Sequence, residues 1–264
     1  SMVGIIPLLA AVVIDGHMVG RAQALGKGAA HLIEDLGGRK GLVDQGLLRG
    51  EPGDERLLLG VVGVERLVRL FEKLFDEREF LSPHGLRALS AYHREHPYVI
   101  QVEGMTPTVD YEPAESTTNM FGGNSNWRGP IWFPLNYLVV NTLERYYRFF
   151  GDELTIEYPT GTGQRRGLDH VAEDLRRRLI GLFERGPDGL RPCFGGVERL
   201  QRDPAWRDNL VFSEYFHGDN GAGLGASHQT GWTGVVADLI RGRPGDGVYT
   251  LGEAARLAAE RTSS

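Results

Sequence analysis

The chain has 264 residues, 41% of them hydrophobic and 24% charged, with a formal net charge of −6 and a pI near 5.8. That length and apolar content suit one large globular unit or two small ones, and the acidic balance, with no dense Lys/Arg run, argues against a nucleic-acid surface. The single cysteine, Cys193, excludes a disulfide within the chain, argues against a Cys-based zinc site and fits a reducing, cytoplasmic location.

The opening "SMVGIIPLLAAVVID" is apolar but short, lacks a basic start and is bounded by Pro7 and Asp15. It reads as a buried helix rather than a secretory signal or a membrane span. Chain ends are usually exposed, so an apolar start leads to the expectation that this chain begins inside a larger fold. Gly16–Leu36 also reads as a helix. Asp54–Phe75 has an acidic first turn and apolar residues at helical spacing through Leu67, Leu70, Phe71 and Leu74. Tyr98–Val102 is a short strand candidate. Gly129–Gly151 opens with Pro130 and closes on a glycine, a start and stop pair for a long helix, with Pro134 tolerated near its first turn. Gly167–Gly186, Ala226–Gly242 and Leu251–Arg261 read as helices too. Arg176, Arg177 and Arg178 sit in a mixed-charge helical pattern and read as a solvated face. With no alternating strand series, the expected fold is all-α, layered or toroidal.

Two long Gly/Asn/Ser/Asp-rich stretches, 104–128 and 195–225, separate the helices. Structureless loops longer than about 12–15 residues are uncommon unless they serve a function. The second holds "FSEYFHGDNGAGLGASHQTGWTG" (Phe212–Gly234). Glu214 lies between aromatic residues, where partial desolvation would suit a general base holding water beside a sugar. A helix cap or an arginine partner is the commoner fate of such a carboxylate. The glycines of "GDNGAGLG" lack the lysine and preceding strand of a phosphate loop, and Asp219 and Asn220 lack EF-hand spacing. A backbone needing positive φ explains them more simply. Trp127, Trp132 and Trp232 suit either sugar stacking or a core. Arg128, at a helix start, opposes the helix dipole unless it reaches a carboxylate or hydroxyls. His228 and Gln229 could donate to hydroxyls. His217 and His228 have too few His or Cys neighbours for a metal site, and no metal or cofactor is expected. Asp110, Glu112 and Glu115 could line a cleft, although a solvated loop is the preferred reading.

Together, "MFGGNSNWRGPIWFPLNYL" and the downstream "FSEYFHGDNGAGLGASHQTGWTG" resemble the C-terminal part of glycoside hydrolase family 63. That family includes processing α-glucosidase I and bacterial enzymes acting on mannosylglycerate and glucosylglycerate. The resemblance implies an (α/α)6 toroid, of which residues 1–264 would form one C-terminal catalytic-domain segment. It also implies inverting hydrolysis of an α-glycosidic bond with an aspartic general acid and a glutamate general base. The base matches Glu214. Trp127, Arg128, Tyr215, His228, Gln229 and Trp232 are the implied substrate-binding residues. The substrate would be an oligosaccharide or a small α-glycoside, with no nucleic-acid or membrane partner.

One departure bears on activity. The family's acid lies more than two hundred residues before its base, and Asp15 and Asp35 lack the expected aromatic and glycine neighbours. The expectation is therefore a partial chain, inactive without an upstream segment that carries the acid. A non-catalytic carbohydrate-binding remnant of the same fold is the alternative, and another toroid chemistry, such as a lyase or epimerase, is a third.

Overall fold

A computed structural model describes residues 1–15, 34, 37–51, 54–117 and 129–242. The expected helices over Gly16–Leu36 and Leu251–Arg261 fall outside, or almost wholly outside, these residues. The order begins with a 3-10 turn at Met2–Ile5, α1 (Ile6–Leu9), β1 (Ala11–Asp15), α2 (Gly38–Asp44), β2 (Leu48–Arg49), β3 (Arg56–Gly60) and α3 (Val64–Leu74). Hairpins β4 (Leu81–Ser82) with β5 (Gly85–Leu86) and β6 (Tyr98–Val99) with β7 (Thr108–Val109) follow. Next come α4 (Phe133–Phe150), β8 (Thr155–Glu157), β9 (Arg165–Gly167), α5 (Leu168–Gly181) and α6 (Glu198–Arg202). The series closes with β10 (Tyr215–Phe216), β11 (Gly223–Leu224) and α7 (Val236–Arg241).

This is a mixed α and β architecture, which overturns the expected all-α toroid. The described residues contain one three-stranded and four two-stranded antiparallel sheets. The largest correction concerns residues read as helical. Ala11–Asp15 pairs with Arg56–Gly60 in register Val13 to Leu58, and Leu48–Arg49 flanks the other side. Leu57 and Leu58 point to opposite faces, as successive strand residues must. Leu58 joins the main core, while Leu57 packs with Leu42 and Leu48 in a small second one. A strand buried on both faces reads as a continuous apolar run, which periodicity cannot distinguish from a helix. Only from Val64 onward does the helical period hold, with Leu67, Phe71 and Leu74 buried.

The main core lies between α4 and α5, which pack against each other, and extends to α3, β1 and the opening turn. Helix α4 starts at Phe133, later than expected, with Pro134 in its first turn and Gly151 as its C-cap at φ 57°. Asn136 is fully buried on this helix. Its Oδ1 accepts from the Leu86 amide at 2.6 Å, and its Nδ2 donates to the Leu86 carbonyl at 3.1 Å and the Trp132 carbonyl at 3.0 Å. One amide thus joins the helix start to β5, where an apolar side chain would leave buried backbone groups unpaired.

The residues just before α4 are extended rather than helical. Ile131 bridges Arg87 on one side and Phe216 on the other, exchanging two backbone hydrogen bonds with Phe216 at 2.7 and 3.0 Å. The expected helix Ala226–Gly242 shrinks to Val236–Arg241, preceded by turns over 230–235. Arg176 also departs from expectation. It is buried and paired with Glu144, and Arg178 donates to Asp174 at 2.7 Å, so of the three arginines Arg177 is the solvated one. The β6–β7 hairpin leaves Tyr98, Val99, Val102 and Met105 exposed. No helix among the described residues is long and apolar enough to cross a membrane.

Candidate functional site

The bridge between Ile131 and Phe216 joins the end of the first long loop to the second. It brings the stretch around Glu214 beside the start of α4. Glu214 is half-buried. Its backbone N–H donates to the Ala226 carbonyl at 2.8 Å, and its Oε2 accepts from the Ala226 N–H at 3.1 Å. Among the described residues no cation pairs with this carboxylate, and it caps no helix. The neighbouring chain is pinned from the 226–233 turns. Gln229 N–H donates to the Phe212 carbonyl at 2.8 Å, Thr233 Oγ1 to the Ser213 carbonyl at 2.6 Å, and Trp232 Nε1 to the Glu214 carbonyl at 3.0 Å.

Aromatic rings surround this carboxylate's segment. Tyr215 is fully buried, with its ring centroid 5.0 Å from that of Trp132. Trp132 in turn meets Trp232 edge-on at 6.2 Å and 86°. Trp132 is a buried floor, whereas Trp232 keeps 40% of its surface exposed. The Tyr215 hydroxyl donates to Glu115 Oε2 at 2.6 Å, which brings Glu115 from its loop to the same cluster. Burial, then the hydrogen bond to and charge of Glu115 and the charge of Glu214, push the Tyr215 phenol well above its ordinary value, so it stays a donor.

Of the expected residues, Tyr215 and Trp232 converge on Glu214. Gln229 contributes through its backbone, and His228 is exposed at φ 63°. Trp127 and Arg128 lie outside the described residues. The described residues also form an open cavity of about 770 Å³, lined in part by Glu184, Arg185, Asp188, Arg191, Gln201 and Asn220. Glu214 is not part of its wall, so this volume is no measure of the space beside the carboxylate.

The glycines of the second loop serve a hairpin, β10 with β11, and not a phosphate cradle. Gly225 has φ 69°, and a methyl group on it would stand 2.8 Å from Glu214 Oε2 and 2.6 Å from Tyr215 Cε1. Gly225→Ala is therefore expected to displace the carboxylate and to destabilise the folded protein by about 1–3 kcal/mol, the usual cost of forcing a side chain into such a backbone position. Urea denaturation of the variant checks this.

A feature the sequence did not signal lies in the hairpin turn. Asp219 Oδ1 accepts from the Tyr111 hydroxyl at 2.8 Å and from Arg87 Nε and Nη2, each at 3.3 Å. Its Oδ2 accepts from Arg94 at 2.6 Å. Burial pushes the Asp219 carboxyl up, but the Tyr111 hydrogen bond and the Arg87 and Arg94 charges more than reverse this, leaving it below the usual range. A depressed carboxyl contributes stability above the ordinary aspartate range, about pH 4. That contribution is lost as pH falls through the lowered value. Asp219→Asn is expected to flatten the acid side of melting temperature against pH, as read by circular dichroism.

No protein-family model matches the chain. A Saccharomyces cerevisiae protein described only as uncharacterized is 42% identical over 244 residues, covering 91% of this chain and 22% of that protein. A probable mannosyl-oligosaccharide glucosidase of Schizosaccharomyces pombe is 26% identical over 188 residues, covering 70% of the chain and 16% of that protein. The mannosyl-oligosaccharide glucosidase of S. cerevisiae is 25% identical over 121 residues, 46% of the chain and 11% of that protein. Two of the chain's partial relatives are named glucosidases. The chain spans about a fifth or less of the length of each relative. All three are yeast proteins.

Proposed function

We propose that this chain is a catalytic-domain segment of an inverting α-glycosidase of the glycoside hydrolase family 63 type, with Glu214 as general base. The observation that carries the reading is the half-buried Glu214 carboxylate, fixed by the Ala226 N–H beside the Tyr215–Trp132–Trp232 rings. A partly desolvated carboxylate can hold a water and take its proton as the oxygen attacks the anomeric carbon. Trp232, with its exposed indole, offers the apolar face on which a pyranose stacks. The glucosidase names of two relatives support the same reaction class.

Inversion needs a second carboxylic acid about 6.5–9.5 Å away, with the water between. In this reading an aspartic acid elsewhere in a longer polypeptide protonates the leaving oxygen, and Trp127, Arg128, His228 and Gln229 contact the sugar. The substrate is an oligosaccharide or small α-glucoside, handled in the cytoplasm. The test is proton NMR of an α-linked glucoside incubated with the full polypeptide. β-Glucose should appear first and mutarotate later. Initial release of α-glucose overturns the inverting mechanism. Sugar binding without turnover by the full polypeptide favours the non-catalytic carbohydrate-binding reading.

A further inference from the structure

We propose that Asp219, clamped by Arg87, Arg94 and Tyr111, is a positioning residue that sets where Glu214 stands relative to the anomeric carbon. This rests on the general-base reading of Glu214. The hairpin that carries both residues has only two paired positions, Tyr215 with Leu224 and Phe216 with Gly223. Two-stranded hairpins are marginal in water by themselves, so their placement depends on what grips them. Glu214 stands at one end and Asp219 in the turn at the other.

The grip comes from three stretches distant in sequence. Phe216 is tied by its backbone to Ile131, which also bridges Arg87. The Gly218 amide donates to the Pro113 carbonyl at 2.8 Å. A methyl group on Gly218 would stand 2.5 Å from both the Gly129 carbonyl oxygen and the Tyr111 hydroxyl, so backbone and phenol close directly on the turn. The Asp219 carboxylate then binds the two arginines and the tyrosine. Arg87 is itself buried and anchored by donating to the carbonyls of Leu81 and Glu77. Its guanidinium therefore cannot follow a moving turn. A neutral residue at 219 leaves a buried cation short of its counter-charge, which the protein can relieve only by shifting the turn or admitting water. Either movement is passed along the hairpin to Glu214.

The test uses the full polypeptide and α-D-glucopyranosyl fluoride, whose fluoride leaves without protonation, so the rate reports the base side alone. Water oxygen bonds to C1, the C1–F bond breaks with its electron pair on fluoride, and Glu214 takes the water proton. Asp219→Asn is expected to lower kcat per folded molecule about 10–100-fold, in line with small misplacements in active sites, with KM within about two-fold. Azide, which attacks C1 without needing a base, should restore the rate and yield β-glucosyl azide. Merely losing folded protein gives no such rescue. Arg94→Gln, which removes a partly exposed arm of the clamp, guards against a variant that does not fold. It should give the same response in weaker form. Unchanged kcat per folded molecule in both variants, or a loss that azide does not restore, overturns the clamp's role. Glu214→Ala with azide is the separate check on the base. If it yields no β-azide, or if the unmodified protein does not turn over the fluoride, the glycosidase reading falls and the positioning role with it.

Discussion

Glu214→Gln is expected to lower kcat on an α-glucoside by about 10²–10⁴-fold, the usual worth of a positioned general base, while sugar affinity stays within a few-fold. The substitution keeps the side chain's shape. The amide oxygen can still accept from the Ala226 N–H, as the carboxylate does at 3.1 Å, so the local hydrogen bond survives. The Trp232 indole bond goes to the Glu214 backbone carbonyl and is untouched. In the proposed mechanism, what disappears is the capacity to accept a proton from water at the moment of attack. A selective loss of kcat is the signature of an interaction made only in the transition state. Isothermal titration with a sugar, together with steady-state rates on the full polypeptide, separates the two quantities. Wild-type turnover by the variant would remove Glu214 from the base role.

Arg176→Ala is expected to destabilise the protein by about 3–5 kcal/mol, the range for removing one partner of a buried ion pair. The Arg176 and Glu144 side chains retain only 7% and 10% of their exposure, and their contact ties α5 to α4. The same guanidinium donates to the Leu239 carbonyl at 3.4 Å and the Gly242 carbonyl at 2.8 Å, fastening the end of α7. Truncation leaves the Glu144 carboxylate buried without its cation and frees two carbonyls. The double replacement Arg176→Met with Glu144→Leu should cost much less, because no uncompensated charge stays behind. Urea denaturation of the three proteins measures both effects. The site should respond as well. Helix α7 follows directly on the turns carrying Trp232 and Thr233, so loosening it weakens the hold on Ser213 and Glu214.

These cases show why parts of the molecule were legible in the chain and others were not. Helices α4 and α5 were visible because their buried residues recur at three and four positions, as in Val139, Val140, Leu143 and Tyr146. Glu214 was visible because its aromatic neighbours and the glycines after it are local. The Arg176 pairing was not, since a charged residue inside a helical pattern defaults to solvent unless a partner on another helix is known. Nor was the strand at Arg56–Gly60, whose adjacent leucines fill two different cores. Arg87 and Asp219 stand 132 positions apart, and nothing in either neighbourhood announces the other.

From residue order alone came helices α4 and α5, the helical period of α3 and a candidate carboxylate among aromatics, because each depends on contacts within a few positions. Tertiary structure alone decided that the protein is not all-helical, that Ile131 joins the two loops, and which charges are buried in pairs. Strand pairing and ion pairing both depend on partners brought close only when the chain folds. Their energy comes from desolvation and geometry that a linear pattern does not contain.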